Sequence, residues 1–382
     1  MTRRAPGGGT VCVLGGGIAG LTVALALRDR GCEVTVVEAR DPVAGATAAS
    51  AGMIAPLYES ADWDPLVRLG VRSGGEWPDF AARIEKDGGR SVGWRRTGML
   101  VRNATEAEHG AALATAGWQA ERGLRAEVVS ERGAEEIQPG LGPGAVSYLW
   151  LEGEALVDPR ALREALPRAA RAAGVRLRTG TGEGRLEIRA GRAAGVRTRE
   201  GSAVAADAVV VACGAGSGRV DGLPRTLPVR PVRGQMLALR PAGPAPRVIV
   251  ADHAGRYAVP RRPDLVVAGS TMEEAGFRVE VTEPELARIR RAVEALAPGL
   301  ATAVEVERWA GLRPVAADGL PVIGPDPEVP GLHYATGYGR RGILLAPLAG
   351  RAVAEGIVGG RPGDEWAPFR PGRFTGTTGT PG

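Results

Sequence analysis

Lysine is nearly absent: Lys86 stands alone among 48 lysines and arginines in 382 residues. The net charge of +5 and pI of about 9.5 therefore come from arginines spread along the whole chain. That is a composition bias, not a focused basic stripe for nucleic acid. Aromatic residues are only 4%, too few to build stacking platforms for single strands. The three cysteines, Cys12, Cys32 and Cys213, have neither metal-type spacing nor a CxxC pair, which excludes a disulfide scaffold and points to a reduced, cytoplasmic setting. No run approaches the ~18 apolar residues of a membrane span. The opening MTRRAPGGGT has no apolar segment ending in a cleavage site, so no signal peptide is expected. The three histidines, His109, His253 and His333, form no pattern that suggests metal binding or nucleophilic catalysis.

What is present begins at 11-VCVLGGGIAGLTVALALRDRGCEVTVVEAR-40. An apolar strand runs into Gly15-x-Gly17-x-x-Gly20, then a helix to about Arg30, then a strand from Glu33 to Glu38. In this βαβ unit the first glycine makes the tight turn, the second admits a pyrophosphate to the backbone, and the third lets helix and strand pack. The phosphates sit at the helix N-terminus, and Glu38 is placed to accept from an adenosine ribose. Its charge would repel the 2′-phosphate of NADP. A second complete fingerprint is lacking. Cys213-Gly214-Ala215-Gly216, after the apolar run 207-DAVVVACGAGS-217, is only a partial glycine turn.

Further along, 157-VDPRALREALPRAARAAG-174 reads as a helix with Asp158 as N-cap and Pro159 at its first position. Short strands are expected near 175–179, 185–189 and 194–199. Longer ones are expected around 235–240, 247–259 and 265–271, with helices near 283–296 and 343–358. The stretch 309-WAGLRPVAADGLPVIGP-325 carries Gly/Pro signals, and 60–145 has a mixed texture. The fold expected is α/β, a Rossmann-type cofactor domain from 8–85, 145–227 and 306–365. An α+β substrate domain with a mixed sheet, 86–144 and 228–305, is inserted in it. Residues 366–382 read as a flexible tail.

The chain resembles the flavin-dependent D-amino-acid oxidase family, and within it the glycine oxidase branch of thiamine biosynthesis. The residues that carry this are the Gly15/Gly17/Gly20 motif with Glu38, then 45-GATAASAGMIAP-56, 230-RPVRGQML-237, 250-VADHAGRYAVPRR-262, 268-AGSTMEEAGF-277, 309-WAGLRPVAADGLPVIG-324 and 343-ILLAPLAG-350. The resemblance implies FAD, held non-covalently, since no cysteine lies in the late part of the chain. It implies cofactor contacts from Gly15, Gly17, Ile18, Ala19 and Gly20, and from Glu38, Ala39 and Arg40. Thr47, Ala49, Ser50, Gly52 and Met53 follow, then Gly214, and finally Gly339, Arg340, Gly342 and Ile343. Read on their own, the small residues of 45–56 suit a backbone passing a flat ligand, or a flexible surface loop; Met53 alone would be core.

The resemblance also implies a substrate site. Arg313 would grip a carboxylate, Arg340 would assist, and the Tyr257 hydroxyl would lie beside the substrate; a single arginine without it would be a solvated surface charge. A guanidinium pairs with a carboxylate in bidentate fashion, fixing position and orientation. The implied reaction takes a small amino acid or amine, passes hydride from Cα to flavin N5, and reoxidises the flavin with O2 to give H2O2 and an imino or keto acid. The usual loop Gly-His-aromatic-Arg-Asn-Gly is here Gly337-Tyr338-Gly339-Arg340-Arg341-Gly342, which puts glycine as sole substrate in question. An amine dehydrogenase, or a tailoring oxidase for a larger amine, stays open as the alternative, as does a homo-oligomer. No nucleic acid or membrane partner is expected.

Overall fold

The computed structural model describes residues 8–58, 60–359 and 363–374. Two large sheets organise the chain. The first has six strands in the order Val322–Pro325, Leu332–Thr336, Ala208–Val211, Thr10–Leu14, Glu33–Glu38 and Arg176–Thr179. The pairs from Leu332–Thr336 through Arg176–Thr179 are parallel, and Val322–Pro325 is antiparallel at the edge. Strands buried on both faces read as continuous apolar runs, which is why VCVL and AVVV are so uniform.

The helices Ile18–Arg28 and Gly342–Val358 pack together on this sheet. Both are apolar nearly all round, as a fully covered helix must be. Pro347 lies inside the second and removes the N–H that Ile343 O would accept. Trp77 Nε1, fully buried, donates to Ile343 O and to Leu344 O at 3.2 Å, and Ser73 Oγ donates to Leu344 O at 2.7 Å. Both come from the long helix Pro65–Gly88, capped by the Asp64 side chain at Val67 N.

The second sheet has eight strands, mixed in direction. Their order is Val304–Ala316, Val229–Arg240, Leu265–Gly269, Tyr257–Arg262, Ile249–Asp252, Met99–Asn103, Ser147–Leu151 and Ala126–Val129. Helix Glu283–Leu296 covers one face through Leu286, Ile289 and Val293. Ser147–Leu151 and the whole of Val304–Ala316 thus pair within this mixed sheet. The stretch 247–259, expected as one strand, is two antiparallel strands joined by a turn in which Arg256 N donates to Asp252 Oδ1.

The expected tail needs correction. Trp366 and Phe369 are buried in the core of the first sheet, and residues 364–369 and 371–374 form short 3₁₀ turns against it. These two aromatic anchors hold residues 364–374 against the sheet. Residues 375–382 lie outside the described residues. Among the described residues no helix is long and apolar enough to cross a membrane, and no cluster of His, Cys, Asp or Glu could hold a metal ion.

Candidate active site

The glycine turn is shaped by the chain at two points and by nothing in the chain at the third. Gly15 has φ +110°, and a Cβ there would strike Ala212 O. A Cβ on Gly20 would strike Gly15 O. Gly17 is different: its φ of −74° suits any residue, and the nearest protein atom to a Cβ is Thr47 Oγ1 at 3.8 Å. The space before Gly17 is therefore left for a ligand. Ile18 N donates to Thr47 Oγ1 at 3.3 Å, placing that hydroxyl at the helix N-terminus with its own proton available for a phosphate.

Glu38 ends its strand with both oxygens engaged. Gly16 N donates to Oε2 at 2.6 Å, and Arg40 N donates to Oε1 at 2.9 Å. Each oxygen keeps a second lone pair for a ribose hydroxyl. Ala39 is half-buried and Arg40 exposed beyond it, Ala19 is half-buried in the helix, and Gly214 leads the neighbouring turn with open space before it. Cys12 and Cys213 are pushed up to about 12 by burial, so they are inert thiols. These features fit a dinucleotide with an adenosine end.

From this cradle the segment Ala46–Ala49, a single helical turn, leads across to the second sheet. Ser50 Oγ donates to Thr47 O at 2.9 Å, so its proton is committed within the segment. Gly52 is glycine for packing reasons, because a Cβ would strike Val157 O. Met53, half-buried, begins a short strand paired with Leu156.

The register of the second sheet brings together Arg313 and Tyr257, the residues expected at the substrate. Tyr257 lies opposite Gly269, Gly269 opposite Met236, and Met236 opposite Trp309. Two residues on, Gly234 faces Gly311, and Val232 faces Arg313. Opposed residues and those two apart share a face, so Arg313, Tyr257 and Trp309 line one face around three glycines. The Tyr257 ring lies across Gly269, within 3.1 Å of where a Cβ would be. A Cβ on Gly234 would overlap the Arg313 guanidinium, and one on Gly311 would come within 2.5 Å of Ala49 Cβ. The floor is flat because its side chains are missing, and the segment from the nucleotide cradle packs directly onto it.

Arg313 donates through Nη2 to Ser270 Oγ at 2.8 Å and through Nη1 to Thr271 O at 2.9 Å. Burial opposes charge on nearby Glu273, but donors from Arg233, Thr271 and Gln235 win and hold it below the usual range. Gly339 N donates to Pro314 O at 2.7 Å, which sets the 337–342 turn beside the Arg313 strand. Arg340 itself is exposed. Gly339 has nothing within 4 Å of a Cβ, and Gly342 with Ile343 opens the terminal helix. His253, Asn103, Ser147 and His109 form a hydrogen-bonded chain elsewhere on the sheet, and His333 is pushed down to about 4 by burial.

Residues 10–356 match the family model described as DAO, FAD dependent oxidoreductase. The chain belongs to this family of FAD-dependent oxidoreductases. Among its members, the glycine oxidase of Pseudomonas aeruginosa is 34% identical over 367 residues, 94% of this chain and 98% of that protein. The bifunctional protein ThiO/ThiG of a Nostoc species is also 34% identical, over 91% of this chain, which spans about half (52%) of that protein's length. The crystal structure of glycine oxidase from Geobacillus kaustophilus superposes with a TM-score of 0.92 at 29% identity, covering 96% of this chain and 99% of that one. The DAO family's cofactor, FAD, agrees with the cradle at Gly17. Sequence reasoning missed Gly234, Ser270, Trp309 and Arg261; only Gly234, inside an otherwise apolar strand, left a visible signal.

Proposed function

We propose that the chain is an FAD-dependent oxidase of a small amino acid or related amine, with Arg313 and Tyr257 as its substrate residues. One observation carries the reading: both side chains share the sheet face against which the segment from the nucleotide cradle packs. On this reading the parallel sheet with its helices forms the cofactor domain, and the mixed sheet forms the substrate domain. Bound FAD, held without a covalent bond, would supply a two-electron acceptor that O2 can reoxidise. The protein binds and orients. Arg313, braced by Ser270 and Thr271, turns its guanidinium to the substrate carboxylate, a bidentate pairing that also fixes the direction of the Cα–H bond. Tyr257 offers a hydroxyl beside it, and Arg340 closes the rim from the 337–342 turn. The free N–H groups at the start of Gly342–Val358 favour negative charge near them. The amine loses its proton to solvent, and water later hydrolyses the imine.

The open space at Gly339 supports a substrate larger than glycine. Anaerobic titration of the holoprotein with glycine, sarcosine, D-alanine and acidic amino acids tests both points. Bleaching of the flavin by at least one, with peroxide formed in air, is expected. No bleaching by any of them would overturn the oxidase reading, and a clear preference for glycine would overturn the larger substrate. Bleaching without peroxide would identify a dehydrogenase.

A further inference from the structure

Arg261 is 3% exposed, yet among the described residues no carboxylate lies within hydrogen-bonding distance of it. Its Nη2 donates to Ser50 O at 2.9 Å and to Ala51 O at 3.3 Å. The nearest carboxylate, Asp158, stands 3.9 Å from Nε, a long ion pair, and among the described residues Nε makes no hydrogen bond. Burial pushes its pKa down to about 10. A guanidinium in that position costs several kcal/mol that its environment does not fully offset. A second arginine braces it: Arg95 donates to the carbonyls of Pro260 and Arg261.

The carbonyl just before belongs to the same set. Ala49 O accepts from Trp309 Nε1 at 2.9 Å, and Arg160 stacks over the Trp309 ring. Three successive carbonyls, 49 to 51, are thus tied by side chains of the substrate sheet. Sheet pairing resumes only at Met53. Upstream, the same segment carries Thr47 at the phosphate cradle. From 49 to 51 its path is set by these side chains, before Val157 N donates to Gly52 O at 2.9 Å and strand pairing takes over.

We propose that Arg261 is a positioning residue for the cofactor: with Trp309 it fixes the carbonyls of 49–51, and so holds the segment from Thr47 to Met53 in the shape that receives FAD. This rests on the reading of the cleft as an FAD site. A wild-type protein that binds no FAD would overturn that reading, whereas the comparison of variants with a binding wild type tests Arg261.

The test uses apoprotein of wild type, R261M, R261K and W309F, titrated with FAD and melted without it. Replacing a buried, poorly paired cation by an apolar side chain leaves folding stability unchanged or higher. R261M is therefore expected to melt at or above wild type while binding FAD at least tenfold more weakly. R261K, keeping the charge with fewer donors, should recover part of the affinity, and W309F should weaken binding in the same direction. The absorption band of bound flavin should change shape in R261M, as the ring settles differently. Unchanged affinity and spectrum in R261M would overturn the proposal, as would affinity lost only in step with melting temperature. If R261M gives no folded apoprotein, R261K and W309F decide by the same criteria.

Discussion

Consider the substitution Gly17→Ala. Gly17 caps the helix Ile18–Arg28 with φ −74° and ψ −177°, angles that alanine adopts freely. The new methyl would meet only Thr47 Oγ1, at 3.8 Å, an ordinary contact. Two small effects oppose each other in the apoprotein. Alanine narrows the unfolded ensemble, worth roughly 0.4–1 kcal/mol. It is also a poorer N-cap than glycine, by a comparable amount. The apoprotein should therefore melt within about 1 kcal/mol of wild type. FAD meets the methyl where its pyrophosphate would approach the backbone. Losing one or two charge-assisted hydrogen bonds, at about 1.5–3 kcal/mol each, weakens binding by about 1.5–6 kcal/mol, or roughly tenfold to twenty-thousand-fold. Fluorescence titration of apoprotein with FAD reads this directly, and the rise in melting temperature on adding FAD should shrink with it. Gly20→Ala is the control: its Cβ would drive into Gly15 O, so the fold itself should fail. If Gly17→Ala binds FAD within threefold of wild type, the argument from empty space is wrong. If it loses stability as Gly20→Ala does, the glycine serves packing instead.

Burial pushes the Glu154 carboxyl up to about 8, against bonds from the Leu57 and Tyr58 backbone that favour its charge. The fold keeps a proton that the unfolded chain releases near pH 4.3, so stability should fall with rising pH between about 4.3 and 8, by at most about 1.4 kcal/mol per unit; E154Q should lose that slope in melts from pH 5 to 8, and an identical slope would refute it. R313K keeps the charge but loses the bidentate fork, so KM should rise at least tenfold with FAD affinity unchanged; an unchanged KM removes Arg313 from the substrate site. The atoms that a Cβ on Gly234 meets first are the far end of the Arg313 side chain, so G234A should raise KM by displacing the guanidinium while stability holds within about 1 kcal/mol; a collapse of the fold would show a packing role. Trp77→Phe strands Ile343 O, which Pro347 has already deprived of a donor, and should destabilise by about 1–3 kcal/mol in denaturant titration; a neutral result would mean that water fills the gap.

The nucleotide cradle was readable because its constraints are local. A turn, a helix start and a strand end all fall within 28 residues, from 11 to 38, and each leaves its own residue type behind. Helix Glu283–Leu296 was equally plain from its periodicity. The long strand Val304–Ala316 was hidden by Gly311 and Pro314, which read as loop but suit an edge strand and a crowded floor. The helix Pro65–Gly88 was hidden by Gly70, Gly74, Gly75 and Pro78; Gly70 is spared a side chain because Pro56 and Leu344 press against it. What brings Arg313 and Tyr257 to one face is the pairing of four strands, a non-local fact that no stretch of sequence contains. Arg261 was one arginine among many, since its burial comes from segments more than a hundred residues away.

The proline in the terminal helix has a further effect. By stripping Ile343 of its usual donor, Pro347 hands that carbonyl to Trp77, and Ser73 secures the next. The opening turn of Gly342–Val358 is thereby bolted to a neighbouring helix at its rear. The amides at its front keep their aim whether or not anything occupies the cleft. An arriving anion would find a field already oriented and would spend none of its binding energy on reorganising it.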